Sequence, residues 1–148
     1  MTFIDEKEVF VSNENAMQNV ISNKILDADL IFFAEAANNH GISVGVTLFS
    51  KGAVITGSTI SGKAYYERLV KSLGPYEHGS KLEIVADYLN GAKKEYEALS
   101  EAGEECNYLH LEKISIISSG DKVSPINNAL LRINIGEVEG YILGGPNS

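Results

Sequence analysis

The stretch HGISVGVTLFSKGAVITGSTISGKAYYERLVKSL, residues 40–73, sets the architecture of this chain. Ile42, Val44, Val46 and Leu48 alternate with Ser43, Gly45 and Thr47, the period-two pattern of a strand over residues 42–49. Ser50, Lys51 and Gly52 then make a hairpin turn, and residues 53–60 form the return strand. Gly45 and Gly57 lie inside these strands, where glycine marks strong bending or close backbone approach, so the sheet is expected to be small and curled. Ser61 caps the following helix, whose apolar stripe is Tyr65, Tyr66, Leu69, Val70 and Leu73, and Gly74-Pro75 ends it.

Working outward, Ser80 and Glu83 spell a capping box for a second helix. Leu82, Val85, Leu89, Ala92, Tyr96 and Leu99 form its stripe, read as core-facing, with helix pairing between chains as the alternative. A third strand over residues 108–117 changes phase midway: Leu109 and Leu111 share one parity, Ile114 and Ile116 the other. A bulge or bend near Glu112-Lys113 reconciles them. Residues 118–125 read as a turn-rich loop. Residues 129–143 read as two strands, or one strand broken at Gly136.

Upstream, Asp27 or Asp29 caps a helix carrying Leu30, Phe33, Ala34 and Ala37, which ends at Gly41. Before that, residues 9–11 suit a short strand, and residues 12–15 cap a helix containing Met17, Val20 and Ile21. The expected fold is α+β: a small curled antiparallel sheet or partly open barrel, with N-terminal helices and a two-helix insertion between the second and third core strands. Residues 1–26 read as an N-terminal extension and residues 27–148 as one domain. Val46 and Leu48 are expected to share a core with Ile133 or Val138.

Composition narrows the function. The 148 residues carry a net charge of −8, with only 12 basic residues and no run of them. Nucleic acids and anionic membranes are recognised by clustered Lys and Arg, so both partners are disfavoured. The N-terminal MTFIDEKEVF is acidic and lacks the apolar run of a signal peptide. No stretch approaches the ~18–20 apolar residues of a membrane span, and a cytoplasmic protein is expected. Cys106 is the single cysteine, so no intrachain disulfide or four-cysteine zinc site forms.

GSTISGKA, residues 57–64, is one residue short of a phosphate-binding loop, G-x-x-x-x-G-K-[ST]. Lys63 is present, but Ala64 stands where the magnesium-binding hydroxyl belongs, and the preceding strand is the return arm of a hairpin. A capped helix start is the favoured reading; a nucleotide-binding protein or enzyme using residues 57–63 is the alternative. His40, His78 and His110 have no metal-ligand spacing, although His110 and Glu112 share a strand face. Ser119-x-x-Lys122 lies in a turn, and no G-x-S-x-G elbow exists. Cys106 follows Glu104 and Glu105, whose charge opposes a thiolate. No catalytic residue, cofactor or metal is therefore assigned. Glu101, Glu104 and Glu105 form an acidic group at a helix end, and with Tyr65, Tyr66, Leu82, Leu89 and Tyr96 they define a possible interaction surface.

Four blocks read in order resemble a known family: residues 40–69, the helix around 81–105, YLHLEKISII at 108–117 and LLRINIGEVEGYILGG at 130–145. The most specific parts are the T-L-x-x-x-G-x-V-I-x-G-x-x-I-S rhythm of the hairpin and the closing E-V-x-G-Y-x-L-G. Together they resemble the gas vesicle accessory protein U family. The resemblance implies a non-enzymatic protein that assists vesicle formation or modulates vesicle clustering, with gas vesicle proteins or itself as partner. The hairpin and the final block also resemble Sm-like barrels over a short stretch; the acidic balance argues against their RNA role but not against their ring or dimer assembly. A homodimer is expected, because edge strands and the long helix stripe offer more apolar surface than one small sheet buries.

Overall fold

The computed structural model describes residues 26–102, 106–118 and 122–145. The strand expected at residues 9–11 and the helix expected around Met17 lie outside them. Among the described residues the chain is α+β, with three helices and an open antiparallel sheet of six strands.

Helix α1, Ala28–His40, begins where the Asp27 carboxylate accepts from the N–H groups of Asp29 (2.8 Å) and Leu30 (3.3 Å). It ends at Gly41, whose φ of 64° is a left-handed cap. Strand β1, Gly45–Ser50, and β2, Ala53–Ile60, are joined by Lys51 and Gly52, both at positive φ. That is the two-residue turn whose twist matches a hairpin. Val46 and Leu48 are fully buried, as their alternation predicts.

Helix α2, Gly62–Ser72, and the longer α3, Lys81–Ala102, form an inserted pair between β2 and β3, Tyr108–Ser118. The expected bulge is present. Thr56 pairs with Ser115 and Ser58 with Glu112, so Gly57 faces two residues, Lys113 and Ile114, and Lys113 takes φ 53°. A Cβ on Gly57 would come within 3.0 Å of the Glu112 carbonyl oxygen and of Ile114 Cδ1, so this glycine does permit close approach. Gly45 does not: the nearest atom to a Cβ there is 3.9 Å away.

Residues 118–125 are not simply a loop. They contain β4, Lys122–Pro125, an exposed strand paired with residues 115–118 of β3. Lys-Val-Ser-Pro does alternate polar with apolar, but the run is only four residues long, ends on proline and is exposed throughout, so it gives too weak a strand signal to read. Strand β5, Leu131–Asn134, pairs with the other end of β3, and a 3-10 turn, Ile135–Glu137, leads to β6, Gly140–Leu143, beside β1. The break falls at Gly136 as expected.

This link dictates the sheet's shape. A flat sheet would hold β5 and β6 four strand spacings apart, about 19 Å. Residues 135–139, three of them in a 3-10 turn, span at most about 16 Å. The sheet must therefore curl. Its concave side encloses Val46, Leu48, Leu109, Leu111, Ile114 and Ile135, closed by Leu30 and Ala34 of α1. Ile133 and Val138 pack on the same core, joining the first hairpin to the last strands.

Two expectations about α3 are corrected. Glu83 reaches back to the N–H of Gly79, and the Ser80 carbonyl accepts from the Glu83 N–H. Ser80 Oγ is buried with no hydrogen-bond partner among the described residues, so only the glutamate half of the box forms, one residue early. The stripe is also only partly covered. Lys63 pairs with Glu97 and Lys93 with Glu67, which fixes α2 and α3 antiparallel with Ser72 level with about residue 88. The first turns of α3 thus project beyond α2, and Leu82 and Val85 are exposed while Ala86 is fully buried.

Candidate interaction surface and the Arg132 cluster

Tyr65, Tyr66 and Tyr96, drawn from α2 and α3, converge on His110 of β3 and Arg132 of β5. Register brings the last two together, since His110 and Arg132 are directly paired across β3 and β5. Arg132 Nη1 donates to the Tyr96 hydroxyl (2.6 Å) and lies 3.0 Å from His110 Nε2. Its guanidinium stacks 3.6 Å from the centre of the Tyr108 ring. Tyr65 and Tyr96 pack on the His110 ring at 4.7 and 5.2 Å between centroids. Sequence reading found the three tyrosines through their helical spacing. It missed Arg132 and Tyr108, which no local motif marks.

His110 is buried, and that burial, reinforced by the Arg132 charge, lowers its pKa to about 3. It is therefore neutral, and Nε2 accepts from Arg132. Burial pushes the Tyr65, Tyr66 and Tyr96 hydroxyls up, so they stay protonated. Glu112, on the same strand face, is occupied by Arg68. Among the described residues no group of three His, Cys, Asp or Glu side chains is placed to hold a metal ion.

The near phosphate loop is filled from within. The N–H of Gly62 donates to Asn38 Oδ1 (2.7 Å), and the N–H of Ala64 donates to Ser61 Oγ (3.0 Å). The Tyr96 ring covers Gly62 so closely that a Cβ there would lie 2.4 Å from it. Lys63 points to Glu97 at 3.7 Å. The donors a phosphate would need are thus already satisfied by Asn38 and Ser61. Asn38 Nδ2 also donates to Cys106 Sγ (2.9 Å). Burial raises the Cys106 pKa, with the Asn38 bond opposing and Glu35 adding to the shift, so the thiolate is disfavoured.

The remaining expected surface residues are scattered. Leu89 is half-buried against the helix pair, whereas Leu82 is exposed beside Val85, Ile84 and Tyr88, the last two more than 70% accessible. These four give α3 an apolar outer face. The side chain of Glu101, and all of Glu104 and Glu105, lie outside the described residues.

Fold and site define a small α+β domain with an internally satisfied polar cluster and an apolar helix face turned to solvent. The chain matches the Gas vesicle protein GvpU-like family over residues 27–146 and belongs to that family. Comparison with curated proteins and with solved structures found no match. No helix among the described residues is long and apolar enough to cross a membrane.

Proposed function

We propose that this chain is a non-enzymatic gas vesicle accessory protein, acting in the cytoplasm through contacts with vesicle proteins and with its own copies. It assists vesicle formation or modulates vesicle clustering. Family membership is the observation that carries this reading. The exposed Leu82, Ile84, Val85 and Tyr88 supply a surface suited to such contacts. The nucleotide-binding alternative rests on Lys63 and meets donors that are already bonded.

Residues 27–148 act as the folded unit with residues 1–26 as an extension. The five-residue link between β5 and β6 favours reading the sheet as a partly open barrel of the Sm/SH3-like kind.

The test is co-expression with a gas vesicle gene cluster lacking its own copy. Restoring the chain is expected to change vesicle yield by flotation or clustering in electron micrographs, and Ile84→Glu with Tyr88→Glu to abolish the effect. No change on restoration overturns the vesicle role. Light scattering over a concentration series is expected to show a dimer; a strict monomer overturns self-association.

A further inference from the structure

A groove of about 420 Å³ opens between α2, the bulge of β3 and the segment entering β5. Its walls hold three cations, Arg68, Lys71 and Lys113, and one carboxylate, Glu112. Three minus one leaves +2 here, on a chain whose total is −8. Arg68 is held by Glu112. The exposed ammonium groups of Lys71 and Lys113 have no ion-pair partner among the described residues. Leu69, Ala129 and Leu130 supply the apolar part of the lining.

The backbone supports the same place. Three non-glycine residues among those described have positive φ. Lys51 belongs to the hairpin turn; the other two, Lys113 (53°) and Asn128 (59°), both line this groove. Asparagine enters this region readily in turns, so Lys113 is the strained position of the two, and such strain concentrates at ligand sites. At Lys113 it comes with the bulge, which breaks the alternation of β3.

We propose that this groove docks an acidic peptide segment of a partner protein, with carboxylates paired to Lys71 and Lys113 and an apolar side chain on Leu69 and Leu130. Charge complementarity selects the occupant: the lining carries a net +2 and its two lysines are free to pair, so an acidic segment is attracted here. The apolar lining separates a peptide from a bare anion, which would use only the lysines. The inference is independent of the vesicle role, since it rests on the groove's own residues.

Fluorescence anisotropy with a short fluorescein-labelled peptide of alternating glutamate and leucine tests it on the full chain. Saturable binding that weakens with added salt is expected. Lys71→Glu with Lys113→Glu is expected to weaken binding about tenfold or more, while Lys94→Glu, an exposed change on α3, leaves it intact. Circular dichroism confirms that each variant is folded. Absence of binding, equal binding of a lysine–leucine peptide, or unchanged affinity in the double variant overturns the proposal. Displacement by inorganic phosphate at low concentration also overturns it, assigning the lysines to a small anion. Peptide binding with no effect of the chain on vesicles supports the groove and removes the vesicle role.

Discussion

Arg132 and Tyr96 meet at 2.6 Å, and this hydrogen bond ties the long inserted helix to a strand of the curled sheet. The two residues are 36 positions apart. Around the bond, Tyr66 and Tyr108 give Arg132 ring faces to stack on, and His110, itself packed against Tyr65, gives one neutral acceptor. The inserted pair packs mainly on itself, so this cluster, with the Arg68–Glu112 ion pair, does much of the work of seating it.

Replacing Arg132 with Met removes the bonds to Tyr96 and His110 and the stacking on Tyr108. The expected loss is about 2 kcal/mol, read as a lower urea midpoint. Arg132→Lys recovers only part of it, because a single ammonium cannot stack and donate to two partners as the planar fork does. Full stability in Arg132→Met would show that the helix pair is seated by other contacts.

His110 makes stability depend on pH in one direction. Its folded pKa, about 3, lies below the ordinary 6.5. Between those values the unfolded chain binds the proton that the folded chain refuses, so stability is full above about 6.5 and falls as pH drops. The slope approaches about 1 kcal/mol per pH unit between about pH 6.5 and 5, above the range where carboxylates titrate. Urea titrations across that window measure it, and His110→Gln, which keeps an acceptor for Arg132, is expected to flatten it. An equally steep slope in the variant would place the titrating group elsewhere.

Gly62→Ala drives a Cβ into the Tyr96 ring at 2.4 Å and displaces the ring from Arg132. A cost of about 1–3 kcal/mol is expected. Gly45→Ala, with its nearest atom at 3.9 Å, is the matched control and should cost well under that. Equal melting points for the two variants would contradict the Tyr96 packing.

Val46 is fully buried in the core with Leu109 and Ile135. Val46→Asp places an unpaired carboxylate there and is expected to cost several kcal/mol, enough to unfold a marginal domain. A folded variant with an unchanged melting temperature would contradict the burial.

Isothermal titration with Mg-ATP is expected to give no heat assignable to residues 57–64, because Ala64 lacks the magnesium-binding hydroxyl and Asn38 and Ser61 occupy the helix start. Micromolar binding abolished by Lys63→Ala would overturn that expectation.

The hairpin, the Ser61 and Asp27 caps, the bulge beside Gly57 and the break at Gly136 were all readable along the chain. Each depends on forces acting within a few residues: side-chain alternation, local capping bonds and left-handed turn positions. The family was legible in the same way, from spaced blocks. Three things were not. Strand β4 is four exposed residues ending on proline, too short for its alternation to be told from a loop. The half-exposed stripe of α3 follows from where Ser72 ends α2, a fact of helix register that the Lys63–Glu97 and Lys93–Glu67 pairs mark. The Arg132 cluster and the lysine groove join residues from separate elements, and β3 brings them together only by pairing with β2 and β5. Local rules act on neighbours in the chain, whereas a site assembled across a curled sheet is set by which strands lie side by side, and pairing between distant residues leaves no spacing to read.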